Sequence, residues 1–396
     1  MYEFGILLVV VAVATLLATW LGYPSWLRLR ARDFPPLRRA VPRSWWPEVT
    51  IVVTVHNAEA TIRGLLNNLL ALAYPGGRRH ILVVSDASTD FTDAIVAGFD
   101  HRGVELLRLV REKGTARATN IARRYVRGDI VVVVDPEARL ATSSLAALIS
   151  PFADPSVGVA YAHESGGGPL DSRRRPRLSA YTSFEAMLRD NESRVYGTVS
   201  ARRSLYAMRG PLFHAPIPPW VSPDFNLTLL AAEHGYRAVH VDQARCTLTR
   251  PRSPRRDYAR TVWATGRDAL TLLRKPHLLN PRRFGEFSWM LIGHKIGRWA
   301  TPWAILAGYA GVAILAAWYP WARVIAVAGL ALAVVVGALA MVPARGRFLR
   351  LATQPGHIAA TSLAMAHGVF KAFRARAALR NGVDPGLDFS HRTLAI

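Results

Sequence analysis

An uncharged run near the start of the chain constrains the fold more than any other feature. Residues 4–27 contain no charged side chain, and a helix of this length crosses the roughly 30 Å hydrocarbon core of a bilayer. Trp20, Tyr23 and Trp26 cluster at its far end, as aromatic residues do at a membrane interface. Arginines at positions 28, 30 and 32 follow and place the next segment in the cytosol. The sequence therefore predicts an N-terminal transmembrane helix at 1–28.

Two more uncharged runs predict a transmembrane helical hairpin at 299–343. They are separated by Arg323, and Tyr-Pro-Trp at 319–321 supplies the turn. Residues 284–298 have the pattern of a helix lying on lipid headgroups, although a buried helix of the soluble domain fits the same periodicity. For 351–396 we expect a membrane-associated segment, interfacial or re-entrant, followed by a basic tail.

The charge balance limits the possible partners. The chain has 396 residues, a formal net charge of +23 and 51% hydrophobic residues. A strongly basic chain binds polyanions, and its bilayer-length apolar runs favour lipid headgroups or phosphorylated substrates over nucleic acid. Cys246 is the single cysteine, so no internal disulfide can form.

Between the predicted spans, short β-branched runs alternate with helical patterns. This alternation over residues 47–162 predicts an α/β fold with a mostly parallel sheet. Strands are expected at 49–55, 80–84, 105–110 and 129–134, and helices at 60–72, 91–98 and 116–125.

Polar residues stand directly after three of these strands. They are His56 with Asn57, Ser85 with Asp86, and Asp135 with Glu137 on either side of a proline. Ligands of open α/β sheets bind outside the carboxyl ends of the strands, so these groups are expected to converge on one site. Each alone is equally typical of a turn or a helix cap.

In order and spacing these segments resemble the family 2 glycosyltransferases, whose nucleotide-binding half has the Rossmann-like GT-A fold. The segments that carry the resemblance are VTIVVTVHNAEATI, HILVVSDASTDFT and EKGTARATNIA. The resemblance implies that the nucleotide-sugar donor is bound by His56, Asn57, Glu59, Asp86, Lys113 and Asn120. Thr115 stands where the family often has a lysine, and Lys113 or Arg117 could take that role.

A fourth segment, GDIVVVVDPEARL, is similar to the family strand that ends in a metal-binding Asp-x-Asp. The resemblance implies that Asp135 and Glu137 hold Mg²⁺ or Mn²⁺. Such a cation neutralises the charge of a departing nucleoside diphosphate. Glu137 departs from the commoner second aspartate.

The second half of the domain continues the resemblance in WVSPDFNLTLLAAEHGYRAVHV. Asp224 stands where the family has its catalytic base, while Pro223 replaces the acid that often precedes it. An acid is also favoured at this position by the helix dipole.

RRDYARTVWATGRDAL resembles the arginine-rich helix near the donor diphosphate, which implies roles for Arg260 and Trp263. The Gln-x-x-Arg-Trp motif of processive synthases is not supplied there, and the arginines are equally typical of a membrane-facing basic patch. HKIGRWATPW is similar to the membrane-entry segment of the polysaccharide-related members.

These inferences define expected domains and a function. The glycosyltransferase domain is expected at 47–283, with a nucleotide-binding half at 47–162 and an acceptor half at 163–283. The resemblance implies a multi-pass protein of the bacterial inner membrane that transfers sugar with inversion. Its catalytic domain would be cytosolic, with a UDP-sugar as donor and a lipid-linked or polysaccharide acceptor. Membrane lipids and polysaccharide export proteins are the expected partners, and nucleic acid is not.

Two alternatives remain open at this stage. A polyprenyl-phosphate glycosyltransferase would share the donor site and load a lipid carrier once. A catalytically silent scaffold of a polysaccharide assembly system would bind nucleotide without turnover.

Overall fold

The computed structural model describes residues 1–34, 45–111, 114–165, 180–199, 204–218, 220–248, 254–341 and 354–380. The chain packs as two compact units. One, here called the sheet unit, comprises Leu27–Pro251 and Pro281–Phe287; the other, the helical unit, comprises Met1–Trp26, Arg252–Asn280 and Ser288–Ile396.

The sheet unit is built on a sheet in which the structure describes eight strands. They are β1 Val49–Val55, β2 Arg79–Asp86, β3 Val104–Leu109, β4 Ile130–Val134, β5 Ala138–Leu140, β6 Val157–Ser165, β7 Leu205–Arg209 and β8 Arg237–Leu248. Their order across the sheet is β3-β2-β1-β4-β7-β6-β8-β5.

The sheet is mixed rather than mostly parallel, which corrects one part of the expected fold. β1 to β4 pair in parallel, as predicted. β7 then runs antiparallel to both β4 and β6. β6 pairs in parallel with β8, and β5 is antiparallel to β8. The α/β class is confirmed, but β7 enters the sheet in the reverse direction and breaks the parallel pattern.

The α-helices are bounded as follows. They are α1 Tyr2–Leu17, α2 Tyr23–Arg30, α3 Glu59–Leu70, α4 Thr92–Ala97, α5 Thr115–Ala122, α6 Ser144–Ile149, α7 Ala180–Val195, α8 Gly210–His214, α9 Pro223–Glu233, α10 Pro254–Arg274, α11 Pro281–Phe284, α12 Glu286–Met290, α13 Gly297–Leu315, α14 Pro320–Met341 and α15 Gln354–Arg380.

Hydrophobic clusters cover both faces of the sheet. In β1, Ile51 and Val53 point into a cluster with α3 and α6, whereas Val52 points into one with α5, α8 and α9. Successive strand residues face opposite sides, so an almost continuous apolar run indicates a strand buried on both faces. The loops at the strand ends are therefore held on a rigid, fully covered sheet.

Small residues allow close helix packing within the helical unit. A Cβ added to Gly311 of α13 would lie 2.7 Å from the carbonyl oxygen of Gly5 in α1. A Cβ on Gly368 of α15 would lie 2.5 Å from the Val262 carbonyl oxygen in α10. Because these positions carry no side chain, both helix pairs approach backbone to backbone.

Two π-helical segments of the helical unit pack against each other. They span Ala18–Gly22, after α1, and Leu291–Ile296, before α13. Gly297 leaves room for Thr19, and the Trp20 indole N–H donates to the Thr301 hydroxyl at 3.1 Å. Such π-turns are rare outside functional or strained sites.

One helical stretch, Tyr2–Asp33, is long and apolar enough to cross a membrane by length and composition, among the residues described. Pro320–Val336 in the predicted hairpin is apolar but shorter. Two helices, α13 and α14, occupy the region predicted as a hairpin.

The segments flanking the hairpin region are also helical where the structure describes them. Within the predicted interfacial helix at 284–298, Phe287, Met290 and Leu291 are buried, whereas Trp289 is 53% exposed. The predicted C-terminal membrane segment contains α15, whereas 351–353 and the predicted tail at 381–396 lie outside the described residues.

Candidate active site

The three polar loops predicted to converge do lie at one edge of the sheet. Val55 pairs with Ser85, and Val53 pairs with Val134. All three strands run in parallel, so the residues that follow them emerge side by side at the carboxyl edge. This part of the site follows directly from the strand register.

The loop after β1 is cross-linked to the loop after β2. The His56 ring Nδ1 lies 2.7 Å from the carbonyl oxygen of Asp86. The Asn57 side-chain oxygen accepts the Thr89 backbone N–H at 2.8 Å, and the Asn57 N–H donates to the Ser88 hydroxyl at 3.2 Å. Asn57 has a φ of +50°, a left-handed conformation that asparagine tolerates. The two loops therefore behave as one rigid assembly.

Glu59 joins the same two loops one turn further along. Its backbone N–H donates to the Asp90 carboxylate at 3.0 Å, and its own carboxylate accepts the Phe91 N–H at 3.1 Å. These bonds satisfy backbone donors where α3 and α4 begin. In the structure Glu59 thus holds the loops together.

Asp86 is almost fully buried, with 3% of its surface exposed. Its Oδ2 accepts the backbone N–H of Gly114 at 2.8 Å. Gly114 has a φ of +78° and immediately precedes α5. Asp86 consequently fixes the start of α5, while the neighbouring Lys113 lies outside the described residues.

Asn120 in α5 forms hydrogen bonds with another loop. Its side-chain amide donates to the Ile217 carbonyl at 2.9 Å and accepts the Ile217 N–H at 3.2 Å. The Arg123 guanidinium donates to the Ala215 carbonyl in the same loop. Asn120 therefore connects α5 to the segment that leads towards α9.

Asp135 and Glu137 form a compact turn after β4. The Asp135 Oδ1 accepts the Glu137 backbone N–H at 3.0 Å, and both residues are half-buried. No group of three or more His, Cys, Asp or Glu side chains among the described residues is arranged to hold a metal ion. The two carboxylates fit Mg²⁺ or Mn²⁺ all the same, because such ions are commonly bound by one or two carboxylates plus substrate phosphates.

A third carboxylate at this edge, Glu164 of β6, was missed by the sequence reasoning. The Asp135 N–H donates to the Ser204 carbonyl at 3.0 Å, and the Ser204 hydroxyl donates to Glu164 Oε2 at 2.5 Å. The sequence signal that could have found Glu164 is the one that identified Asp86 and Asp135, an acidic residue at the end of an apolar run. Its proximity to Asp135 depends on the antiparallel β7, which the sequence did not reveal.

Asp224 lies in the first turn of α9. Its Oδ1 accepts the Ser222 hydroxyl at 2.9 Å, and its carbonyl accepts the Tyr161 hydroxyl of β6 at 2.8 Å. Burial raises the pKa of Tyr161 well above its usual value, so this hydroxyl stays protonated at neutral pH. A small, mostly apolar pocket borders the same turn, lined in part by Pro223 and Leu227.

Arg260 and Trp263 belong to α10, in the helical unit. Arg260 is exposed, and Trp263 is half-buried beneath the Arg267 guanidinium, 4.3 Å from the ring centroid. The structure therefore gathers the other described candidates on the sheet unit and leaves these two on the helical unit.

The sheet unit has a GT-A-like α/β fold. The architecture is similar to that of a mannosyltransferase, PcManGT from Pyrobaculum calidifontis, solved with GDP-Man and Mn²⁺. The TM-score is 0.68 at 24% identity, over 90% of this chain and 98% of that one. At this identity the likeness establishes the fold.

Residues 50–207 match the model of glycosyl transferase family 2. It is 33% identical over 118 residues to a beta-monoglucosyldiacylglycerol synthase of Synechocystis, and that match covers 28% of this chain and 24% of the relative. An N-acetylglucosaminyltransferase of Rhizobium is 25% identical over 81% of this chain and 75% of its own length. The chain thus spans about a quarter of one relative and three quarters of the other.

Proposed function

We propose that the protein is an inverting, metal-dependent glycosyltransferase that moves a sugar from a nucleotide-sugar donor to a membrane-associated lipid or glycan. One observation carries the proposal: the loops of His56, Asp86 and Asp135 lie side by side at the carboxyl edge of the sheet. The match of residues 50–207 to the model of glycosyl transferase family 2 supports the reaction class.

On the donor side, the proposal assigns the nucleoside to the cross-linked loops of His56, Asn57 and Asp86. Their mutual hydrogen bonds fix the loops before a ligand arrives, which reduces the entropy lost on binding. Glu59 and Asn120 support the same site by anchoring neighbouring segments. Lys113, Arg260 and Trp263 are proposed to contact the diphosphate on the strength of the resemblance alone.

In the proposed reaction, the Asp224 carboxylate takes the proton of the acceptor hydroxyl. The hydroxyl oxygen forms a bond to the anomeric carbon while the bond from that carbon to the phosphate oxygen breaks, and the nucleoside diphosphate leaves. Asp135 and Glu137 would hold Mg²⁺ or Mn²⁺, which supplies positive charge to the leaving diphosphate. The chain's own contribution is to orient the base and the donor.

The nucleotide and the sugar are proposed on weaker grounds. The family resemblance favours a UDP-sugar. The Pyrobaculum mannosyltransferase was solved with GDP-Man and Mn²⁺, so GDP-sugars belong among the candidates.

Membrane attachment is proposed from the surface of the helical unit. Large apolar side chains are exposed on three of its helices, among them Leu7 of α1 at 56%, Leu306 of α13 at 57% and Val327 of α14 at 70%. Exposed apolar surface on this scale marks a membrane or protein interface. With the arginines that follow the first apolar run, it supports a multi-pass protein of the bacterial inner membrane with a cytosolic catalytic domain.

The test is release of nucleoside diphosphate by the full chain in membranes, supplied with UDP-, GDP- and TDP-sugars and with lipid and glycan acceptors, with and without Mn²⁺. We expect metal-dependent release from one donor and its loss in Asp224→Asn. The exposed Asp100→Asn is the matched control and should retain wild-type release.

Two outcomes would redirect the proposal. Nucleotide binding with no release across the whole panel would point to a silent scaffold. A product that is a lipid monophosphate sugar would identify a polyprenyl-phosphate glycosyltransferase.

A further inference from the structure

Three hydroxyl groups meet at Asp224. The Ser222 hydroxyl donates to its side-chain Oδ1 at 2.9 Å, and the Tyr161 hydroxyl donates to its carbonyl oxygen at 2.8 Å. The Thr228 hydroxyl lies 2.9 Å from the Tyr161 oxygen and 3.3 Å from the same carbonyl. Both the carboxylate and the main chain of Asp224 are therefore held.

Ser222 and Thr228 belong to the start of α9, whereas the Tyr161 hydroxyl comes from the sheet. Tyr161 belongs to β6, 63 positions before Asp224, and pairs with Tyr206 of β7. Tyr161 and Thr228 are each 1% exposed, and Ser222 is 7% exposed. A buried hydrogen bond from the central sheet to the first turn of α9 fixes where the helix begins relative to the strands.

Ser222 does not act here as an ordinary helix cap. It stands at the N-cap of α9, where a serine usually accepts a hydrogen bond from a backbone N–H of the first turn. Its side chain makes no such bond and is directed to the Asp224 carboxylate instead. The hydroxyl thus serves the side chain of Asp224 rather than the end of the helix.

We propose that Ser222 and Tyr161 are positioning residues for the base of the transfer reaction. Ser222 fixes the rotamer of the Asp224 carboxylate, and Tyr161 fixes the backbone that carries it. Reaction rates depend steeply on such placement, because a displacement of about 1 Å can cost about a hundredfold. The inference rests on the proposed function, in which Asp224 removes the acceptor proton.

The fold supplies a matched control for each substitution. Tyr161→Phe removes one buried hydroxyl that donates to a backbone carbonyl. Tyr74→Phe does the same at the Pro47 carbonyl, 2.6 Å away and inside the other hydrophobic cluster. Ser222→Ala is matched by Ser156→Ala, whose hydroxyl donates to the Asp154 carboxylate at 2.8 Å.

The experiment measures kcat and KM from nucleoside diphosphate release by the full chain, with the donor that the panel identifies. Thermal unfolding is followed for every variant. We expect Tyr161→Phe and Ser222→Ala to lower kcat by about tenfold or more, with the donor KM within about twofold of wild type. Ser222→Thr, which keeps the hydroxyl, should recover most of the rate. Both control variants should keep the wild-type kcat.

A kcat for Tyr161→Phe equal to that of Tyr74→Phe would overturn the inference, as would a loss that appears in KM alone. If Asp224→Asn turns over at the wild-type rate, the base assignment in the proposed function fails instead. If no donor supports turnover, both fail together.

Discussion

Asp86→Asn tests how the donor loops are organised, because it changes one buried charge and almost no volume. The Asp86 Oδ2 accepts the Gly114 N–H at 2.8 Å from a side chain that is 3% exposed. Hydrogen bonds to charged groups contribute about 1.5–3 kcal/mol and neutral ones about 0.5–1.5 kcal/mol. Replacing the carboxylate by an amide should therefore lower the free energy of unfolding by about 1 kcal/mol.

The same change should weaken nucleotide binding by about fivefold, since 1.4 kcal/mol corresponds to a factor of ten in affinity and about 1 kcal/mol to a factor of about five. Gly114 precedes α5, so a loosened contact frees the segment that the proposed function places beside the nucleotide. Binding of UDP and GDP by calorimetry and unfolding in detergent would measure both effects. Glu105→Gln is the control, because this carboxylate contacts His80 in a half-exposed pair at the opposite edge of the sheet. Equal nucleotide affinity in the two variants would refute the reasoning.

Three further expectations concern metal binding, the helical unit and alkaline pH. If Asp135 and Glu137 hold the metal as proposed, Glu164→Gln should weaken Mn²⁺ binding several-fold in electron paramagnetic resonance titrations, because Ser204 links Glu164 to Asp135. An unchanged affinity would remove Glu164 from the site. Lys295 and Asp268 form a mostly buried pair at 2.8 Å, so Lys295→Met should destabilise the protein by about 3 kcal/mol, and adding Asp268→Leu should recover most of that loss. Burial raises the pKa of Tyr74 to about 12, although the charge of nearby Arg78 acts in the opposite direction. The protonated Tyr74 hydroxyl therefore stabilises the folded protein fully below about pH 10, and this stabilisation declines towards pH 12. Tyr74→Phe should flatten that decline in the unfolding midpoint.

The sequence alone predicts the first four strands, because each is marked by a local run of apolar, often β-branched residues. β1 occupies its predicted range, Val49–Val55, and the expected helix at 60–72 appears as α3, Glu59–Leu70. Parallel strands place their carboxyl ends together, so the convergence of His56, Asp86 and Asp135 needed no knowledge of distant residues.

The rest of the candidate site depends on pairings between residues far apart in the chain. Glu164 is linked to Asp135 through Ser204 because β7 runs antiparallel between their strands. Tyr161 reaches Asp224 only because α9 packs on the sheet face that Tyr161 shares. Neither contact leaves a periodic signal in the sequence, since each joins elements whose order across the sheet is not set by local propensity.

The arginine-rich helix α10 shows a different limit of prediction from the sequence. Its sequence resembles a donor-binding segment of the family 2 glycosyltransferases and falls in the acceptor half predicted at 163–283. In the structure α10 packs with α15 in the helical unit. An amphipathic pattern fixes which face of a helix is apolar but not which partner covers that face.

The contact between Gly368 and α10 also has a consequence for synthesis of the chain. Gly368 follows Gly266 by about 100 residues, and ribosomes add about 5–20 residues each second. The arginine-bearing helix therefore emerges roughly 5–20 seconds before the helix that covers it. Until α15 is made, the apolar face of α10 must be shielded by another surface, such as a chaperone or the membrane itself. The arrival of α15 thus covers this part of α10.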